Sequence, residues 1–72
     1  MRYNQKLATI CDYLQAIDKN GFYHELLDEY SNGEISLTDA LEECKQSLES
    51  LKHETDVTDA RTIQSFINYI NY

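Results

Sequence analysis

Proline does not occur in this 72-residue sequence, and glycine occurs only twice. The strongest helix breaker is therefore missing, and helices can run without interruption. Cysteine is limited to Cys11 and Cys44, whereas a secreted domain this small usually carries about four or more. Both fall on apolar stripes, where an unpaired cysteine behaves as a small buried hydrophobe. Long apolar runs are also missing. No stretch approaches the roughly 18 apolar residues that span a bilayer. The first twenty residues hold Arg2, Lys6, Asp12, Asp18 and Lys19 in place of an apolar signal core. The expected location is the cytoplasm, with no membrane contact.

Bases are scarce, and their distribution matters more than their number. Between Asn20 and Cys44 stand seven acids, Glu25, Asp28, Glu29, Glu34, Asp39, Glu42 and Glu43, with no Lys or Arg. The rest of the chain carries six acids and six bases, so the net charge of −7 belongs to this one segment. Glu25 and Glu29 lie at i and i+4, where like charges cost a few tenths of a kcal/mol on a helix. A solvated face accounts for such a cluster, and so does an electrostatic docking surface for a basic partner. A nucleic-acid binder needs a basic stripe to replace phosphate counterions, so direct nucleic-acid binding by this segment is not expected. Imitation of a nucleic acid, to occupy a basic groove on another protein, is compatible with it.

What is present reads as helix throughout. Tyr3, Leu7, Ile10, Leu14 and Ile17 recur at the spacing of one helix stripe, predicting a first helix from about Tyr3 to Asp18. Gly21 then suits a left-handed cap. Tyr23, Leu26, Leu27 and Tyr30 predict a short second helix, about Phe22 to Ser31, closed by Asn32-Gly33. Leu37, Leu41, Cys44, Leu48 and Leu51 predict a third, from near Ser36 to about His53, with Ser36 as N-cap, Asp39 close behind and Ala40 widening the stripe. Val57, Ala60, Ile63, Ile67 and Ile70 predict a fourth, about Val57 to Asn71, capped by Thr55 or Asp56. Phe66, Tyr69 and Tyr72 give this helix a second apolar row. It reads either as the central helix of the fold or as one with a further face for a partner or a second copy. The expectation is a single all-α domain over residues 1–72, a compact bundle of four helices with the second one short, able to form a homodimer.

Chemistry-bearing patterns are few. Asp28-Glu29-Tyr30-Ser31-Asn32-Gly33-Glu34-Ile35-Ser36-Leu37-Thr38-Asp39 resembles the twelve-residue calcium loop of EF-hand proteins and its Asp-terminated variant in dockerin modules. The resemblance implies oxygen ligands from Asp28, Asn32, Glu34, Ser36 and Asp39. It departs from the pattern at Tyr30, where a short oxygen ligand belongs, and Asp39 is a shorter arm than the usual Glu. The same letters also read as one helix closing on Asn32-Gly33 and the next opening on Ser36. Cys11, His24, Cys44 and His53 lack the close pairing of zinc ligands. There is no glycine-rich phosphate loop and no spacing that isolates a carboxylate pair. The expectation is a non-enzyme without a cofactor.

Three functions fit these patterns. The first is a small acidic protein that regulates or inhibits a larger, basic protein partner. By class analogy this is the anti-defence, immunity or anti-activator type common among phage-like small proteins. Glu25, Asp28, Glu29, Glu34, Glu42 and Glu43 would supply the charge, with Tyr23 and Tyr30 as aromatic anchors at the rim. The second is a structural accessory subunit or homodimer joined through Phe66, Tyr69 and Tyr72. The third is the calcium-loop module.

Overall fold

The computed structural model describes residues 2–19 and 21–71. They form four helices, α1 (Gln5–Ile17), α2 (Tyr23–Ser31), α3 (Leu37–Lys52) and α4 (Val57–Ile70), and no strand. The protein is an all-α bundle with a short second helix. Its radius of gyration is 11.8 Å, against about 11 Å for a compact chain of this length.

Three helices begin where local side-chain chemistry starts them. The Asn4, Ser36 and Asp56 side chains accept from the backbone N–H groups of Leu7, Asp39 and Asp59, each satisfying one donor the helix leaves open. Asp39 and Asp59 also lie in the first turns of their helices, where a carboxylate is favoured by the backbone dipole. α2 has no side-chain cap, and its N-cap position is Phe22.

α2 ends in a Schellman turn. The N–H of Glu34 donates to the carbonyl of Glu29 at 2.8 Å and that of Gly33 to Tyr30 at 3.1 Å. Gly33 adopts φ +80°, which a side chain disfavours. Gly21 does not share this geometry, contrary to the sequence expectation, since Gly33 alone among the described residues has positive φ. Gly21 is needed for space instead: a Cβ there would sit about 2.6 Å from Cζ of the Tyr23 ring, well inside contact distance.

The core joins Leu7, Ile10, Cys11 and Leu14 of α1, Tyr23, Leu26 and Tyr30 of α2, Ala40, Cys44 and Leu48 of α3, and Ile63 and Ile67 of α4. α1 and α3 each pack on all three other helices, whereas α2 and α4 do not meet. The α1–α3 pair, not α4, is therefore the centre of the fold. On α1, α3 and α4 the middle of the predicted stripe is buried and its ends are less so, whereas on α2 both ends, Tyr23 and Tyr30, are buried. Tyr3 is 73% exposed, Ile17 40% and Val57 70%, because each lies at or beyond a helix end, past the neighbouring helices. On α3 the innermost line is Ala40–Cys44–Leu48, with Leu37, Leu41 and Leu51 half-buried beside it. Ala40 thus stands at the centre of the face, where a small side chain lets helices approach closely.

The second row of α4 makes contacts within the chain at Phe66 and Tyr69. The Phe66 ring stacks on Tyr13 of α1, centroids 4.1 Å apart and planes 12° from parallel. Lys6 Nζ lies 5.2 Å from the Tyr69 ring centroid, and Tyr72 is outside the described residues.

Candidate functional site

The acidic segment folds as α2, the Schellman turn and the first half of α3. All seven of its carboxylate side chains are exposed, but they do not share one site. Glu25 and Glu29, one turn apart on α2, face Glu43 and Ser47, one turn apart on α3, across a shallow groove. Buried Tyr23 and Leu26 form its floor, and Phe22, 75% exposed, stands at its end. Asp28 instead borders a small apolar hollow with Tyr3, Leu27 and Tyr30. Glu42 borders a third depression, near Lys45 and Ile70. Glu34 and Asp39 lie on the turn and at the start of α3, outside the groove. A block of charge contiguous in sequence is thus divided among faces. The three carboxylates that converge are Glu25, Glu29 and Glu43.

The aromatic anchors require correction. Tyr23 is 7% exposed and Tyr30 9%, so both rings belong to the core and not to a rim. Tyr23 faces inward because Gly21 leaves room for its ring and because its hydroxyl finds an acceptor, donating to Asp18 Oδ2 at 2.7 Å. Burial pushes the Tyr23 phenol above its ordinary value. The Ser47 hydroxyl opposes that rise, and the Asp18 carboxylate adds to it. The exposed aromatic at the groove is Phe22, which sequence periodicity passed over because it falls at the helix cap, outside the stripe.

Arg2 was also missed. Its backbone N–H donates to the Ser31 carbonyl at 3.2 Å. Its guanidinium donates to the carbonyls of Tyr30 (Nε, 3.1 Å) and Ile35 (Nη2, 2.9 Å) and lies 4.6 Å from the Tyr30 ring centroid. A cation at the last carbonyls of α2 is favoured by the helix dipole. The segment that contains no base in sequence therefore holds one in space, at the turn and away from the groove. No local pattern announces it, since the contacts span 28 and 33 residues.

The turn does not have the form of a calcium loop. Asp28 to Ser31 remain helical, the Ser36 hydroxyl accepts from Asp39 N–H at 3.1 Å, and the Arg2 guanidinium, itself a cation, sits against the turn at the Tyr30 and Ile35 carbonyls. Among the described residues no group of three or more His, Cys, Asp or Glu side chains converges as a metal site. His24 and His53 are exposed while Cys11 and Cys44 are buried, so these four do not assemble. No described helix is long and apolar enough to cross a membrane.

Compared with models of protein families, with curated proteins and with solved structures, the chain matches none.

Proposed function

We propose that this chain is a small acidic binding protein that acts without catalysis. It docks on a basic surface of a larger protein through the α2–α3 groove and so regulates or inhibits that partner. One observation carries the reading: Glu25, Glu29 and Glu43 converge on a groove that ends in the exposed ring of Phe22. An apolar anchor ringed by like charge suits a partner that offers Lys or Arg around an apolar pocket. The ring would supply affinity, and the carboxylates would raise association rate and selectivity. The anti-defence, immunity or anti-activator character remains a class analogy resting on size and charge.

Pairing through α4 draws less support. Phe66 is stacked on Tyr13 within the chain, which leaves Tyr69, 36% exposed beside Lys6, as the open ring of this row among the described residues.

The test is capture of a partner from native lysate by the tagged chain, at low and at high salt. A partner should be retained at low salt and lost at high salt, and it should be lost at low salt by the triple variant Glu25→Lys, Glu29→Lys, Glu43→Lys. Phe22→Ala should weaken capture without changing its salt dependence. Capture by the triple variant equal to that of the wild type would overturn the reading.

A further inference from the structure

The chain has two cysteines, 33 residues apart in sequence, and they touch. Cys11 on α1 and Cys44 on α3 are 1% and 0% exposed, and their Sγ atoms lie 3.8 Å apart. Around them the core is aliphatic and aromatic, with no buried charged or polar side chain among the described residues. A core needs no sulfur for packing, since Val or Ala fills the same positions. The meeting of the chain's only two thiols across a helix interface is therefore a relationship that packing alone does not require.

We propose that Cys11 and Cys44 form a redox-controlled staple: a hydroperoxide oxidant converts them to an intramolecular disulfide that ties α1 to α3. A disulfide has an S–S length near 2.0 Å, so each sulfur must advance by only about 0.9 Å. Each can do so by rotating about its Cα–Cβ bond, with a small slide of the helices.

The chemistry balances in two steps. Cys11 sulfur, as thiolate, attacks one peroxide oxygen. With hydrogen peroxide the O–O bond breaks, the departing hydroxide takes up the proton that Cys11 released on becoming a thiolate and leaves as water, and Cys11 becomes a sulfenic acid. Cys44 sulfur then attacks Cys11 sulfur. The S–S bond forms, the S–O bond breaks, and hydroxide leaves with the Cys44 proton as a second water. Two thiols lose two electrons in total and one hydroperoxide gains them.

Either thiol can donate across the 3.8 Å contact, so the same two steps run with the sulfurs exchanged. Because both are buried, the first step waits on local opening of the bundle, and the reaction is slow on the native protein.

The consequence lies in α3. Cys44 directly follows Glu43, so the staple anchors the α3 wall of the groove to α1. The oxidised and reduced forms then differ in how freely that wall moves.

The experiment treats the folded, reduced protein with hydrogen peroxide under native conditions. Intact mass, free thiol and thermal melting are then measured. The expected product is a monomer lighter by two hydrogens, with no free thiol. It should have a Tm raised by about 10 °C or more, because the closed loop restricts the unfolded chain. A dithiol reductant should reverse all three changes. Cys44→Ala should stop at an oxidised Cys11 or a chain-to-chain disulfide and show no rise in Tm. If that variant does not fold, the wild-type product decides alone. Stepwise oxygen addition without a disulfide, a disulfide between chains, or thiols that survive local opening in mild denaturant would each overturn the proposal.

Discussion

The ring of Phe66 lies face to face with that of Tyr13, 4.1 Å away and 12° from parallel. This stack joins α4 to α1 at a place where the α4 sequence alone suggested a surface for a second chain. Burial and the nearby Asp59 carboxylate both push the Tyr13 phenol above its ordinary value.

Replacing Phe66 with Ala should destabilise the fold by about 2 kcal/mol, less than for a fully buried ring because Phe66 is half-buried. Urea unfolding measures this. A loss as small as that at a scattered surface position would show that the stack contributes nothing.

A pH dependence follows from Tyr13 and Tyr23. Both phenols are raised in the folded protein, chiefly by burial. A raised phenol favours folding while it stays protonated. The contribution is complete below the unfolded tyrosine value, near pH 10, and declines as pH rises above it. Thermal melts from pH 7 to 11 should show Tm holding steady and then falling past about pH 10. Tyr23→Phe, which has no phenol to ionise, should lower the plateau and shrink the fall.

Arg2 should matter more than its exposed position suggests. Arg2→Ala removes two hydrogen bonds to carbonyls and a ring contact, and should cost about 1–2 kcal/mol. Arg2→Lys should recover less than half of that, because an ammonium cannot present a planar fork to two acceptors. Urea unfolding of the three proteins gives the comparison, and equal stabilities would remove Arg2 from the account of the turn.

The two glycines should respond differently to alanine. Gly33→Ala forces a side chain into positive φ and should cost about 1 kcal/mol. Gly21→Ala drives a Cβ into the Tyr23 ring and should cost about 2 kcal/mol or more, as overpacking does. It should also loosen the bond from Tyr23 to Asp18. The order of the two losses, read from denaturation midpoints, is the discriminating result.

What the sequence made legible was local or periodic. The caps at Ser36 and Asp56 could be read because a capping side chain and its N–H acceptor site are three residues apart. The stripe centres, Leu7, Ile10 and Leu14 above all, could be read because helix geometry repeats. Stripe ends misled: Tyr3 and Val57 have the right spacing but lie where no neighbouring helix reaches. The site was less legible. Tyr23 and Tyr30 looked like surface anchors because tyrosine is amphipathic. Their burial depends on Gly21, Asp18 and Arg2, and the Arg2 contacts are distant in sequence. The charge block was visible as a block, but only the packing of α2 beside α3 decides that Glu43 joins Glu25 and Glu29 while Glu42 does not.

α1 and α3 each touch every other helix, while α2 and α4 do not meet. The bundle therefore has a two-helix hub and two separable ends. Either end can open while the other stays docked, but the α1–α3 pair is released only when the whole chain unfolds. Amide hydrogen exchange should divide accordingly: slowest at Ile10, Cys11 and Leu14 of α1 and at Cys44 and Leu48 of α3, faster and mutually independent in α2 and α4. A ligand seated beside α2 would slow exchange in α2 and leave α4 at its own rate. The topology thus insulates one end of the molecule from events at the other.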